Sequence, residues 1–290
     1  MGNVLTETRA IGITNIGGTE FLWGSRTYIM GVINVTSDSF SGDGIGTDVG
    51  VATTLGLKFQ KMGADIIDVG GESTRPSSIY TGVIPTSLQE ELDRVIPTIK
   101  ALSSVLEIPI SIDTYKAEVA HQAIKAGASM VNDVWAFEGD PEMSHVVSEA
   151  DVPVVLMHNQ EGTDYDDLVP GVIKSLQQSI EKAQKAGVGG NKIIVDPGIG
   201  FGKNVGQNLE ILRRLDEFTV LGKPLLLGTS RKSTIGYVLN LEIDQRVEGT
   251  AATVALSIAG GADIVRVHDV KEMVRVAKMS DAIVRGWTKF

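Results

Sequence analysis

Short apolar runs alternate with longer amphipathic stretches along the chain. Eight of the runs are rich in Val, Ile and Leu, which predicts strands that are buried on both faces of a sheet. The runs lie at 28–34, 65–71, 108–112, 130–134, 152–157, 192–195, 224–228 and 263–267. A helical pattern follows each of them, at about 47–62, 87–104, 115–127, 141–150, 172–186, 207–221, 246–259 and 270–285.

Eight strand–helix repeats in this order predict an α/β fold with a parallel sheet. At this chain length they favour a closed (β/α)8 (TIM) barrel over an open sheet. No Gly-x-Gly-x-x-Gly pattern follows the first strand, which argues against a dinucleotide-binding sheet. We expect a lead-in over residues 1–26 and one barrel domain over 27–290. Residues 20–24 form either a hairpin that plugs the barrel or part of a frayed terminus.

Composition narrows the classes of function. The chain has 290 residues, no cysteine and a net charge of −10. These values exclude disulfides and thiolate metal sites and favour the reducing cytoplasm. The acidic balance argues against a nucleic-acid partner. No apolar run approaches the length of a membrane span, and residues 1–9 lack a signal-peptide core.

Polar side chains stand where the predicted strands end, which is where the active sites of such barrels lie. Individually they have plain explanations: Asp113 as a helix N-cap, Asp68 as an acid bonded to loop amides, Lys232 as a solvated lysine. Together they predict one shared pocket. The set is Asn34, Asp68, Glu72, Arg75, Asp113, Asn132, Met157, His158, Asp196, Lys232, Arg266 and His268.

These side chains divide into two chemical groups. Asp113, Asn132 and Asp196 suit the edge of a flat heterocycle with several N–H donors. Met157 and Phe201 suit its apolar face, although Met157 also fits a simple core position. The second group suits a phosphate or pyrophosphate with Mg²⁺, for which Asn34 offers an oxygen ligand. It comprises Asn34, Arg75, Lys232, Arg266 and His268.

Eight short motifs in this order resemble those of dihydropteroate synthases. Each is weak alone, but together they cover the chain from about residue 27 to the C-terminus. They are GVINVT (31–36), DVGGESTRP (68–76), SIDT (111–114), ND (132–133), LMH (156–158), DPGIGFGK (196–203), SRKS (230–233) and RVHD (266–269).

The resemblance implies a barrel, usually a homodimer, that makes a folate precursor. Such enzymes join para-aminobenzoate to 6-hydroxymethyl-7,8-dihydropterin pyrophosphate and release pyrophosphate, with Mg²⁺. By resemblance the pterin would be held by Asp113, Asn132, Met157, Asp196, Phe201 and Lys232. Para-aminobenzoate would be held by Phe40, Thr74, Arg75, Pro76 and Ser233, and the pyrophosphate and Mg²⁺ by Asn34, Arg266 and His268. Catalytic roles would fall to Asp38, Asp43, Arg75, Lys232, Arg266 and His268.

Two loops depart from the family pattern. The first lacks the usual proline after Thr36, and its second acid is displaced to Asp43, so both Asp38 and Asp43 remain candidates. The second continues past Pro76 with an insert at 77–85. This insert is either an inert surface extension or, by hypothesis, a change on the para-aminobenzoate side that weakens sulfonamide binding.

Three other functions compete with the synthase. A methyltetrahydrofolate methyltransferase shares the pterin-binding barrel but needs no pyrophosphate site. A catalytically silent pterin-binding subunit would fit the altered first loop. A sugar-phosphate aldolase or isomerase is the fold-level alternative, and it would be favoured by a Schiff-base lysine inside a strand.

Overall fold

Eight parallel strands form a barrel in the structure, a computed structural model that describes residues 11–36, 46, 48–72 and 86–287. Around the barrel the strands follow the order 193–196, 154–157, 130–133, 110–113, 66–70, 28–34, 264–267 and 226–227. A bridge between Val195 and Leu225 joins its two edges. The α/β barrel prediction is therefore confirmed. The strands are β3 (Tyr28–Asn34), β4 (Ile66–Gly70), β5 (Ile110–Asp113), β6 (Met130–Asp133), β7 (Val154–Met157), β8 (Ile193–Asp196), β9 (Leu226–Leu227) and β10 (Ile264–Val267).

Helices surround the barrel, and glycines end two of them. Gly63 and Gly127 adopt left-handed φ angles of 100° and 119°, which side chains disfavour. The helices of the described residues are α1 (Val49–Met62), α2 (Leu88–Ser103), α3 (Ala117–Ala126), α4 (Met143–Ala150), α5 (Leu168–Lys185), α6 (Val205–Arg213), α7 (Ser233–Leu239), α8 (Val247–Ala259) and α9 (Val270–Val284).

The predicted single helix at 207–221 is wrong. The chain forms α6 and then a 3₁₀ helix at Leu215–Leu221. Leu215, Phe218 and Leu221 are buried, and their spacing of three residues matches the 3₁₀ period. The seven-residue α7, which begins at the last residue of the SRKS motif, was not predicted. Helix α5 begins four residues before its predicted start.

An N-terminal hairpin fills the end of the barrel opposite the candidate site. It comprises β1 (Ile13–Ile16) and β2 (Thr19–Leu22), paired antiparallel. Phe21 and Trp23 lie 4.7 and 5.4 Å from the Tyr28 ring, centroid to centroid. Together with Ile16 they pack on the apolar side chains of the barrel interior: Met30, Ile66, Met130, Val155, Ile194, Leu226 and Ile264. The hairpin that plugs the barrel is confirmed, but it spans residues 13–22 rather than the predicted 20–24. The barrel interior is apolar at this end.

No helix among the described residues is long and apolar enough to cross a bilayer.

Candidate active site

Most of the predicted site residues lie at the carboxyl ends of the barrel strands or in the loops that follow. Those described are Asn34, Asp113, Asn132, Met157, Asp196, Phe201, Lys232, Ser233, Arg266 and His268. The predictions for the first two loops concern Asp38, Phe40, Asp43, Thr74, Arg75, Pro76 and the insert 77–85, all of which lie outside the described residues.

Arg266 joins two buried carboxylates inside the barrel. Its Nε donates to Asp68 Oδ2 and its Nη2 to Asp113 Oδ2, both at 2.6 Å. Asn132 Nδ2 donates to Asp68 Oδ2 at 3.2 Å. Asp68 and Asp113 are only 0% and 4% exposed. The sequence assigned Arg266 to a pyrophosphate and gave Asp68 no ligand, so this network was not foreseen.

Three buried oxygens around this network have no hydrogen-bond partner among the described residues. They are Asp68 Oδ1, Asp113 Oδ1 and Ser111 Oγ. Ser111 pairs with Asp68 across β4 and β5. Since a buried polar atom without a partner is costly, these oxygens are ready to bond a ligand or water inside the barrel.

Burial controls the charge of the two carboxyl groups at the barrel mouth. It raises the pKa of Asp113 to about 7, against the opposing attraction of Arg266. Burial likewise raises the pKa of Asp196, while Lys232 and a hydrogen bond from Gly198 oppose the rise. A ligand that donates hydrogen bonds to Asp113 or Asp196 would therefore strongly favour the ionised carboxylate.

The glycine-rich loop after β8 packs closely on its neighbours. Asp196 Oδ1 accepts a hydrogen bond from Gly198 N at 2.7 Å. Gly198 has φ +73°, and a Cβ there would lie 2.0 Å from the carbonyl oxygen of His158. Met157 is buried, and its Cγ is 3.4 Å from the same Cβ position. Glycine at 198 is therefore required by both conformation and space.

Lys232 lies between this loop and the carboxylates. Its Nζ donates to the carbonyl oxygen of Ile199 and lies 4.5 Å from the centroid of the Phe201 ring. Burial lowers the pKa of Lys232 to about 8, while Asp196 raises it. Asp196, Phe201 and Lys232, which the sequence placed together, are therefore neighbours.

A buried lysine that the sequence analysis left without a role organises the same loop. Lys203 is 2% exposed. Its Nζ lies 2.9 Å from His158 Nδ1, 3.1 Å from Gly198 O and 3.0 Å from Phe201 O. Burial lowers the pKa of Lys203 to about 7, and burial with the Lys203 charge lowers that of His158 to about 3. His158 is therefore a neutral acceptor at Nδ1.

This arrangement predicts a loss of stability in acid. Because His158 stays neutral in the fold but protonates when unfolded, its contribution to stability is complete above pH 6.5 and is lost as the pH falls toward 3. The loss amounts to about 1.4 kcal/mol per pH unit. We expect His158→Asn, which keeps an acceptor near the Nδ1 position, to lose less stability between pH 7 and pH 5 in urea unfolding. The same substitution at exposed His145 is the control, and equal losses in parent and His158→Asn would contradict the prediction.

Hydrogen bonds and an ion pair hold the SRKS turn against the residues that follow β10. His268 contacts Ser230 Oγ through its backbone N (3.2 Å) and Nδ1 (3.0 Å). Arg231 has φ +57° and forms a two-pronged ion pair with Asp269 at 2.6 and 3.0 Å. Lys232 and His268 are therefore held at one side of the mouth, and Ser233 begins α7 beside them.

Asn34 and Asp113 face the same space across Gly70. A Cβ on Gly70 would lie 3.5 Å from Asn34 Oδ1 and 3.6 Å from Asp113 Oδ2. Among the described residues, no group of three or more His, Cys, Asp or Glu side chains could hold a metal ion. A cation at Asn34 would therefore take most of its oxygen ligands from water or from a bound phosphate.

Comparisons with known proteins agree with this geometry. A family model described as "Pterin binding enzyme" matches residues 30–268. The chain is 51% identical over 271 residues to a dihydropteroate synthase of Clostridium beijerinckii, a match that covers 93% of this chain and 99% of that protein.

Two solved structures resemble the whole fold. A Clostridium difficile dihydropteroate synthase, determined in the presence of pteroic acid, has a TM-score of 0.86 and 53% identity, with 91% of this chain and 99% of that chain covered. A Yersinia pestis dihydropteroate synthase with a sulfonamide drug has a TM-score of 0.89 and 37% identity, with 95% and 100% covered.

Proposed function

The chain belongs to the family of pterin-binding enzymes, and from that premise we propose that it is a dihydropteroate synthase. As a transferase in folate synthesis, it would move the pterin-methyl group from pyrophosphate to the amine of para-aminobenzoate. The observation that carries the proposal is the buried network of Asp68, Asp113 and Arg266, beside which Asp196 and Lys232 meet at the same mouth.

We propose that the pterin ring lies over this network. Asp113, with an oxygen that lacks a partner among the described residues, and Asp196 would accept hydrogen bonds from the ring N–H groups. A carboxylate can accept two parallel bonds from such a planar donor pair. Asn132 would add an amide contact, while Met157 and Phe201 would line the faces of the ring.

The proposed reaction breaks the CH₂–O bond, and the electron pair leaves with the pyrophosphate. An electron-rich dihydropterin stabilises the cationic methylene that remains. Lys232, Arg266 and His268 would offset the growing charge on the leaving group. The amine of para-aminobenzoate then attacks and loses a proton. Since this amine is itself a nucleophile, no activated serine or cysteine is needed.

Magnesium fits the mouth only if the substrate supplies most of its ligands. Mg²⁺ keeps several waters and binds through a few protein oxygens and substrate phosphates. The amide oxygen of Asn34, across Gly70 from Asp113, matches that demand. We propose that Asn34 would hold the ion together with pyrophosphate oxygens. When bound, Mg²⁺ would neutralise the leaving group.

The test is pyrophosphate release by purified protein given the dihydropterin pyrophosphate, para-aminobenzoate and Mg²⁺. Release that requires para-aminobenzoate, and that falls sharply in Lys232→Ala, is the expected result. Tight pterin binding without release would instead favour the silent pterin-binding barrel. In that case, adding para-aminobenzoate would not change the measured pyrophosphate.

We propose weaker sulfonamide binding as a consequence of the insert at 77–85. Sulfonamides mimic para-aminobenzoate, and the Yersinia pestis relative was determined with such a drug. The inhibition constant of a sulfonamide is expected to be higher here than for a family member without the insert. Comparable constants for the two enzymes would contradict this prediction and favour an inert surface extension.

We propose that two copies associate as a homodimer through α8 and α9. Met279 and Ile283, one helical turn apart on α9, are 63% and 69% exposed, and Leu256 on α8 is 65% exposed. Exposed apolar side chains on two helices that pack together are typical of an interface. Ile283→Glu is expected to convert a dimeric mass in light scattering to the monomeric mass, whereas Lys271→Glu on the same helix is not. A monomeric parent protein would refute the proposal.

We also propose a cytoplasmic location. The absence of cysteine from all 290 residues fits a reducing compartment. The net charge of −10 supports small-molecule substrates rather than nucleic acid as the partners.

A further inference from the structure

Lys203 joins the loop after β7 to the loop after β8, in which it lies itself. Its Nζ is 2.9 Å from His158 Nδ1, in the loop after β7. In its own loop it donates to the carbonyl oxygens of Gly198 at 3.1 Å and Phe201 at 3.0 Å. An ammonium has three N–H donors and no acceptor. These three acceptors therefore match the hydrogen-bonding capacity of Lys203.

The partners of Lys203 are linked to groups that are proposed to bind the pterin. Gly198 donates its N–H to Asp196 Oδ1 at 2.7 Å. The backbone N of His158 donates to the carbonyl oxygen of Asp196 at 2.9 Å. Phe201 carries the ring that is proposed to line one face of the pterin. Lys203 therefore holds the backbone that presents both Asp196 and Phe201.

Other hydrogen bonds keep the loop after β7 packed against the chain that follows β8. Tyr165 Oη donates to the carbonyl oxygen of Gly202 at 2.8 Å. Gln207 Nε2, at the start of α6, donates to the carbonyl oxygen of Thr163 at 2.8 Å. Neither bond ends on a residue that is proposed to contact the pterin. Loss of Lys203 should therefore release the backbone near the ligand while the loops stay packed together.

The hydrogen-bond partners of Lys203 are uncharged, which makes its burial costly. They are two carbonyl oxygens and a neutral imidazole, and Lys203 is almost completely buried. A buried charge without a charged partner does not stabilise a fold by itself. Stability alone therefore gives no reason for a lysine at this position.

The charge of Lys203 has an effect on Asp196. Burial raises the pKa of Asp196, and Lys203 is one of the groups that oppose the rise. In return, burial lowers the pKa of Lys203 to about 7, while Asp196 raises it. Lys203 therefore favours the ionised carboxylate, which is the form that accepts hydrogen bonds from a ring with N–H donors.

We propose that Lys203 is a positioning residue that sets the affinity for the pterin, by holding the carbonyl groups of Gly198 and Phe201 next to His158. This proposal rests on the proposed synthase function and concerns one part of its site. Because Lys203 is buried, it acts through Asp196 and Phe201 rather than by touching the ring.

The groups proposed to face the leaving pyrophosphate are held by other contacts. Arg266 is bound to Asp68 and Asp113, and His268 is bound to the SRKS turn. Loss of Lys203 should therefore weaken the binding of the pterin without an equal effect on the chemical step.

The test replaces Lys203 by methionine, which has a similar length but no donor and no charge. We expect the dissociation constant of 6-hydroxymethylpterin, measured by calorimetry, to rise about tenfold, the scale of one lost hydrogen bond to a charged group. The KM for the dihydropterin pyrophosphate should rise by a similar factor, while kcat stays within about threefold. Urea unfolding checks that the variant is folded. If it is not, Lys203→Gln, which keeps two N–H donors, should give a smaller rise in the same direction.

Tyr165→Phe is the matched control. It removes the hydrogen bond to the carbonyl oxygen of Gly202 from the same pair of loops but keeps the aromatic ring and every contact of Lys203. The pterin dissociation constant should stay within about twofold of the parent value. An unchanged constant in the folded Lys203 variant, an equal rise in Tyr165→Phe, or a loss of kcat with an unchanged KM would overturn the proposal.

The parent protein separates this proposal from the proposed function. A parent that binds 6-hydroxymethylpterin but shows no turnover refutes the synthase, and the dissociation constants of parent and Lys203 variant still decide the role of Lys203. A parent that binds no pterin refutes both proposals, and this failure is visible before any variant is made.

Discussion

Replacement of Arg266 by methionine is expected to lower the free energy of unfolding by about 3–5 kcal/mol and to abolish pyrophosphate release. Arg266 is the hydrogen-bonded partner of both Asp68 and Asp113, at 2.6 Å each. These carboxylates are almost completely buried. Without the guanidinium they would have to remain charged without compensation or take up protons, and either alternative penalises the fold.

Urea unfolding of the parent and of the variant measures this loss. The triple variant Arg266→Met/Asp68→Asn/Asp113→Asn is the control, because it removes the uncompensated charges together with the arginine. It should recover most of the stability but none of the turnover. If Arg266→Met unfolds within about 1 kcal/mol of the parent, a typical effect for a single substitution, the network does not hold the barrel together.

Replacement of Lys232 by methionine is expected to lower kcat/KM about 100- to 1,000-fold with almost no loss of stability. A loss of this size is usual when one preorganised group that stabilises charge in the transition state is removed. Stability should be retained because burial lowers the pKa of Lys232 to about 8. The fold therefore disfavours this charge and loses little when it is removed.

Steady-state kinetics and urea unfolding, measured on the same preparations, separate the two effects. Lys223→Met is the matched control. Lys223 also donates to a backbone carbonyl, Gly190 O at 2.6 Å, but before β9, at the opposite end of the barrel. A Lys232→Met variant that keeps parental kcat/KM would remove Lys232 from the proposed chemistry.

The positions of the site residues were predictable, but their pairing was not. Parallel strands bring their carboxyl ends to one rim, so Asp113, Asn132 and Asp196 could be placed together from the apolar runs that precede them. Asp68 and Arg266 are separated by 198 positions. Nothing in the sequence around Arg266 distinguishes an arginine that binds a phosphate from one that pairs with two carboxylates.

Lys203 was missed for a related reason. It stands in a glycine-rich loop of the sequence, where a solvated lysine is the ordinary interpretation. It is buried against His158, which comes from another strand end. The 3₁₀ helix at Leu215–Leu221 could have been recognised from its three-residue apolar spacing, whereas the short α7 carries no such signal.

The ring of strands has a consequence for the order of events during synthesis. β3, the first strand of the barrel, pairs with β10, the last, through Tyr28 and Ile264. Asp68 and Asp113 leave the ribosome 198 and 153 residues before Arg266. Until β10 arrives, β3 has an open edge and both carboxylates can remain in water. The ring closes and the charge network is desolvated in one late step. This step requires β10, which begins at Ile264, so a shorter nascent chain cannot complete the barrel.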